Sequence, residues 1–180
     1  MFVLPESMGR EGFALRPSGE EDRAFQRVLF AASRTDAPFL AVWPSEQREP
    51  FLDSQFHFQS IHFAQAHAGA DFLILERDGA PLGRLILDRT GADWMVVDIA
   101  MVPERRGQGI GTRLLRAVQE GARAAGASGV VLSVEVMNGA AYALYARLGF
   151  VAGQDVEMGT HIPMRWDAAG GGSAQLNTAS

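Results

Sequence analysis

Two groups of residues in this 180-residue chain have types and spacings that could do chemistry. The first is the run Val102-Pro103-Glu104-Arg105-Arg106-Gly107-Gln108-Gly109-Ile110-Gly111-Thr112, where an apolar segment passes into an amphipathic one through alternating glycines. Glycine reaches positive φ at little cost and lets backbone N–H groups close on a ligand with no Cβ in the way. The N–H groups left over in the first turn of the next helix point the same way, and the helix dipole favours a negative charge there by roughly 0.3–1 kcal/mol. The run therefore suits phosphate. A dinucleotide fingerprint would need a glycine where Thr112 stands, and a triphosphate-binding loop would need a closing Gly-Lys-Ser/Thr, which this run does not have.

The second group is Asn138, Ala141, Leu144, Tyr145, Gly149 and Phe150, which together spell N-x-x-A-x-x-L-Y-x-x-x-G-F. Arg106 to Gly111 follows the pattern Arg/Gln-x-x-Gly-x-Gly/Ala. With both motifs at this separation, the chain resembles the GNAT superfamily of acetyl-CoA-dependent N-acyltransferases over about Phe13 to Trp166. The resemblance implies an α/β (α+β) fold: a mixed, mostly antiparallel sheet of six to seven strands with helices on both faces. It also implies roles. Arg106, Gly107, Gln108, Gly109, Ile110, Gly111 and Thr112 would hold the pyrophosphate of CoA, with Arg105 as a further charge partner. Ala100, Met101 and Val102 end the strand that would lie beside the pantetheine arm, where a bulge bares a backbone N–H for the thioester carbonyl. Asn138 matches the polar residue that binds pantetheine or the adjacent chain, and Tyr145 matches the general acid.

The chemistry asks for a proton donor and a proton acceptor. A tyrosine of ordinary pKa, about 10, carries a proton at neutral pH that can be offered to the thiolate leaving as CoA. The attacking amine must be neutral, which for a lysine-like ammonium costs roughly 4–5 kcal/mol at pH 7, so a base is expected. The position that carries a carboxylate in well-studied members falls on Met95 here, which leaves Asp98 as the preferred base and Glu135 as the second choice. Either could instead hold a structural hydrogen bond, since a carboxylate on a buried strand is costly unless paired. The reading is an N-acetyltransferase that moves acetyl from acetyl-CoA directly to a primary amine in a ternary complex. The acceptor, a small molecule or a peptide amine, would enter between the Phe30 to Phe63 helical region and the Asp155 to His161 turn. The alternative is a catalytically silent acyl-CoA-binding sensor or partner-binding module. The lost carboxylate at Met95 favours it and the retained Tyr145 opposes it. The family commonly dimerises, which leaves a homodimer open.

Composition narrows the classes. With 47% hydrophobic residues the chain can bury one sizeable core. Zero cysteines excludes disulfides, thiolate metal sites and an acyl-cysteine mechanism. His57, His62 and His67 recur every five residues and so rotate by about 140° along a helix. They share no face and suit a surface or rim rather than a metal, and no metal is expected. A net charge of −5 argues against nucleic acid as the main partner. No window approaches the length of a membrane span, and Met1 to Pro5 lacks a signal-peptide pattern, so the expectation is a cytoplasmic protein without a membrane partner.

Periodicity supplies the elements that must position these residues. Residues 1–12 read as a flexible leader, 13–167 as one domain and 168–180 as a disordered tail of small polar residues. A strand at Phe13 to Pro17 precedes an acidic helix start at Glu20-Glu21-Asp22, and Thr35 to Trp43 breaks into a loop at its prolines. A helix from Glu46 to Ala68 carries more aromatic surface than one buried stripe needs, enough to line a pocket as well as a core. Strands at Asp71 to Glu76, Leu82 to Asp88 and Asp93 to Val102 form a meander ahead of the glycine run. A helix from Gly109 to Ala125, a buried strand at Val130 to Val136, a short helix at Ala140 to Arg147 and a closing pair at Val151 to Glu157 and His161 to Trp166 complete the chain.

Overall fold

The computed structural model describes residues 1–34, 40, 42–153 and 159–170. Its centre is a seven-stranded sheet in the order β1-β2-β3-β4-β5-β7-β6. The strands are Phe13–Pro17 (β1), Asp71–Arg77 (β2), Ala80–Asp88 (β3), Asp93–Met101 (β4), Gly129–Glu135 (β5), Val151–Ala152 (β6) and His161–Asp167 (β7). Every adjacent pair is antiparallel except β4 with β5. The tight hairpin between β2 and β3 turns on Asp78 and Gly79 at φ 52° and 78°, the left-handed pair that a two-residue type I′ turn requires.

Helices cover both faces. The glycine run leads into Ile110–Ala124 (α4), which buries Ile110, Leu114, Leu115, Val118 and Ala122 against one face in a 3.6-residue repeat. Gly139–Arg147 (α5) shares that core through Tyr145 and Leu148. Gln119 of α4, itself buried, donates to the Leu148 carbonyl at 2.9 Å and ties the two helices together. A smaller cluster holds Arg23–Arg34 (α2) to Ser45–Ala66 (α3) through Phe30, Leu52 and Phe56. These two helices lie over the opposite face, where α2 contacts β3 and β4.

The parallel β4–β5 pair is short and then forks. It runs only from Asp93↔Gly129 to Val96↔Leu132. Past that point β4 keeps β3 as its partner and β5 keeps β7, so the two strands part. The cause lies in β4. Ile86 pairs with Asp98 and Leu87 with Val96, which leaves Val97 as an extra residue, a β-bulge that bends the strand and increases its twist. The resemblance calls for a bulge that bares the strand end near Ala100. The bulge instead sits upstream at Val97 and bares that end by steering it away from β5.

The amino terminus differs from expectation. Residues 1–12 are packed rather than loose. Glu6–Gly9 forms a short helix (α1), Phe2 and Met8 are buried, and the Phe2 ring meets Trp94 edge-on at 6.0 Å. The Phe2 N–H donates to Asp71 at 2.9 Å. Two large apolar side chains in a short segment without helical or strand periodicity are enough to anchor it, and they escape a reading that looks for long periodic runs. The expected loop at Thr35 to Trp43 lies largely outside the described residues, as do positions 154–158 of the strand expected at Val151 to Glu157 and positions 171–180 of the expected tail.

Candidate active site

The glycine run forms an open turn. Pro103–Arg105 is a single 3₁₀ turn, and Gly107 and Gly109 follow at φ 72° and 77°, backbone states that few other residues adopt without strain. Among the described residues no acceptor is found for the N–H groups from Gly107 to Thr112; the first bonded amide of the helix is Arg113, to the Gly109 carbonyl at 3.0 Å. A Cβ projected from Gly107, Gly109 or Gly111 would meet no atom within 4 Å. A concave row of free donors at the positive end of a 15-residue helix therefore faces open space. The loop is braced from behind. Gln108 Nε2 donates to the Glu104 carbonyl at 2.8 Å, and Arg106 Nε donates to the Met101 carbonyl at 3.1 Å. The Arg106 bond leaves its terminal guanidinium nitrogens free for phosphate.

The end of β4 presents backbone to the fork. Val102 N–H donates to the Leu82 carbonyl at 2.9 Å, so these two form a bonded antiparallel pair. By alternation Ala100 and Asp98 also bond toward β3, while Ile99 and Met101 turn their N–H and C=O groups the other way, where β5 has left. The bond from Arg106 to the Met101 carbonyl agrees with that orientation.

At the fork lies a cavity of about 580 Å³. Its floor is Val96 to Ile99 of β4 and Leu132 to Glu135 of β5. Its walls are Ser33 and Arg34 of α2, Phe58, Gln59, His62 and Phe63 of α3, Asn138, Ala141 and Tyr145 around α5, and His161 of β7. The surplus aromatic surface of α3 is thus divided. Phe56 is core, whereas Phe58, 61% exposed, lines the cavity.

Tyr145 reaches this cavity through the fork. Its residue surface is only 8% exposed, yet its hydroxyl, without a hydrogen-bond partner among the described residues, is not among the fully buried polar atoms and so opens onto the cavity. Burial, with a smaller contribution from the Asp98 charge, pushes the hydroxyl up to about 12. That value guarantees a proton at neutral pH but makes Tyr145 a weaker acid than a free tyrosine. Complete transfer to a thiolate of ordinary pKa near 8.5 would be uphill by roughly 5 kcal/mol. The hydroxyl is better suited to donating a hydrogen bond to an atom that gains negative charge in the cavity than to giving up its proton outright.

Asp98 lines the same cavity and is held from behind. Arg84, whose side chain is 5% exposed, donates through Nε to Asp98 Oδ2 at 2.9 Å and through Nη1 to Gln26 at 3.5 Å. Sequence reasoning missed Arg84, although an arginine within the apolar run Leu82 to Leu87 signals a charge that must be paired. Asn138 caps α5, its Oδ1 accepting from Ala141 N–H at 3.1 Å, and the residue lines the cavity. Ala100 lies on β4 opposite Arg84, and Glu135 closes the end of β5. Met95 lies before the bulge, outside this cavity. Of the three α3-region histidines, His57 and His62 are exposed, whereas His67 is half-buried and meets Asp88 at 3.1 Å. Among the described residues no cluster of three metal-binding side chains occurs, and no helix is long and apolar enough to cross a membrane.

A forked sheet, a glycine loop at a helix N-terminus and a tyrosine at the fork together make a cleft suited to a ligand that carries phosphate. Residues 30–150 match the model of the Acetyltransferase (GNAT) family, and the chain belongs to that family. It is 32% identical over 111 residues to an IAA acetyltransferase of Azospirillum brasilense, an alignment covering 58% of this chain and 72% of that protein. Among solved structures it resembles the PaiA N-acetyltransferase of Thermoplasma acidophilum in complex with coenzyme A, with a TM-score of 0.64 and 18% identity over 86% of this chain and 98% of the other. It also resembles the ribosomal-protein-S18-alanine N-acetyltransferase of Escherichia coli, with a TM-score of 0.57 and 18% identity over 93% and 99% of the two chains. The protein is an acyltransferase of an acetyl-CoA-dependent family.

Proposed function

We propose that this protein moves the acetyl group of acetyl-CoA directly to a primary amine in a ternary complex, with Tyr145 as the proton donor. The observation that carries the reading is the Tyr145 hydroxyl opening, from an otherwise buried ring, onto the fork between β4 and β5. The residues present fit CoA. The free N–H groups of Gly107, Gln108, Gly109, Ile110, Gly111 and Thr112, with the Arg106 guanidinium, would hold its pyrophosphate. Ile99, Met101 and Val102 would flank the pantetheine arm beside small Ala100, and the Asn138 amide would reach it from across the fork. Bound there, CoA supplies an activated thioester.

The protein's own part is to place, polarise and move protons. An Ile99 or Met101 N–H turned into the fork would donate to the acyl oxygen, where negative charge gathers as the amine attacks. Tyr145 would donate to the departing sulfur. Composition supports direct transfer, since a chain with no cysteine has no thiolate to carry the acyl group. The amine would approach from the α2–α3 side, where the exposed Glu135 carboxylate on the cavity offers a partner to a cation. Asp98 keeps Oδ1 for accepting a proton but is committed to Arg84 through Oδ2. Small amines and peptide amino termini both fit this description.

The test is free-thiol release from acetyl-CoA across a panel of primary amines and peptides, beside calorimetric titration of acetyl-CoA alone. Turnover with one amine class supports the reading and names the acceptor. Binding without turnover on any amine would move the protein to a silent acyl-CoA sensor.

A further inference from the structure

The acyl-transfer reading needs a group that takes a proton from the acceptor, and the fold places a third candidate, beside Asp98 and Glu135, on the same cavity. His161 begins β7 and stands opposite Glu135, the last residue of β5. Val136 N–H donates to the Thr160 carbonyl at 2.9 Å, which makes that pair the bonded one and its neighbour Glu135↔His161 the non-bonded one. Side chains of a non-bonded antiparallel pair come closest, with Cβ atoms about 4.5–5.5 Å apart on one face. Both line the cavity onto which the Tyr145 hydroxyl opens.

His161 is half-buried and its Nδ1 lies 2.9 Å from Thr160 Oγ1. With Nδ1–H donating to that oxygen, the neutral ring turns its Nε2 lone pair outward. The Glu135 carboxylate has no partner among the described residues, so it is free to stabilise the imidazolium. The other ionisable groups around the cavity are Arg34 of α2, His62 of α3 and Asp98 of β4, with Asp98 already tied to Arg84.

We propose that His161, supported by Glu135 across the β5–β7 pair, is the proton acceptor that readies the amine. This inference rests on the acyl-transfer reading above. The balance is simple. One proton passes from the ammonium to His161 Nε2 and on to solvent. A second leaves the nitrogen once the new C–N bond forms and the C–S bond breaks, and it replaces the proton that Tyr145 gives to sulfur. The products are the amide, free CoA and one proton.

The experiment is the pH dependence of kcat/KM for thiol release by the full chain, using whichever amine the wild type acetylates. For H161Q the expected result is a loss of about 100-fold at pH 7, narrowing as pH rises and the amine deprotonates unaided. CoA affinity by calorimetry stays within about twofold, which shows the fold intact. H161A regains about tenfold with added imidazole, which a structural role would not give. E135Q shifts the acid limb of the profile to lower pH, and H57Q, at an exposed histidine outside the cavity, leaves it in place. A wild-type profile and rate in H161Q, or no rescue of H161A, overturns the inference and leaves acyl transfer standing. Absence of wild-type turnover on any amine overturns both.

Discussion

At Tyr145 the buried ring and the cavity-facing hydroxyl serve different ends. Removing the hydroxyl in Tyr145→Phe should cut turnover more than tenfold while leaving CoA affinity nearly unchanged, because the proposed donation to sulfur would matter only as sulfur takes up charge. Steady-state kinetics beside calorimetry checks both halves. The same burial has a consequence for stability. The hydroxyl ionises near 12 in the folded chain and near 10 in an unfolded one. Its folded pKa is raised, so its contribution of about 2–3 kcal/mol is complete below pH 10 and is lost as pH climbs toward 12. Denaturant unfolding at pH 8 and pH 11 should show that loss in the wild type and less of it in the phenylalanine variant. Asp98 invites the complementary experiment. Asp98→Asn strands the buried Arg84 guanidinium and should cost about 3 kcal/mol by urea unfolding. A variant of wild-type stability would mean that the ion pair is not structural.

At the scale of the element, the loop and the bulged strand do the positioning. Gly109 stands at φ 77° directly before α4, with open space where a side chain would project. In Gly109→Glu the left-handed backbone would cost about 1–2 kcal/mol, and a carboxylate would sit among donors aimed at phosphate. CoA binding should be abolished by calorimetry, whereas circular dichroism should show the helices retained. Tight binding by this variant would remove the loop from the site. The loop was legible in the sequence because its message is local: alternating glycines, then an amphipathic helix. The bulge was not. A straight period-2 reading of β4 puts Asp98 on the same side as Trp94 and Val96, in the core. Val97 absorbs one residue, and everything after it changes face, which sends Asp98 to Arg84 and the cavity.

At the scale of the molecule, the two faces of the sheet divide the labour. The α4–α5 side carries the main core and the phosphate loop, and the α2–α3 side carries a smaller core and the cavity wall. The fork in the sheet joins the two sides and lets Tyr145 from one line the cavity on the other. The amino terminus belongs to the first side. Phe2 is 5% exposed against Trp94, so Phe2→Ala should destabilise the chain by about 3 kcal/mol in urea without altering KM. An unchanged midpoint would show the terminus to be dispensable.

The sequence by itself determined the glycine run, the motif from Asn138 to Phe150, helices α2 to α5 and the succession of strands along the chain. Each of these rests on residues close together in the chain, where backbone freedom and periodic burial act directly. Only the tertiary structure decided that Arg84 holds Asp98, that His161 faces Glu135, and that β4 and β5 part after Val96. Those facts depend on the register between separate strands. A bulge or a shift of one residue there exchanges every side chain between the core and the site, and no local propensity specifies it.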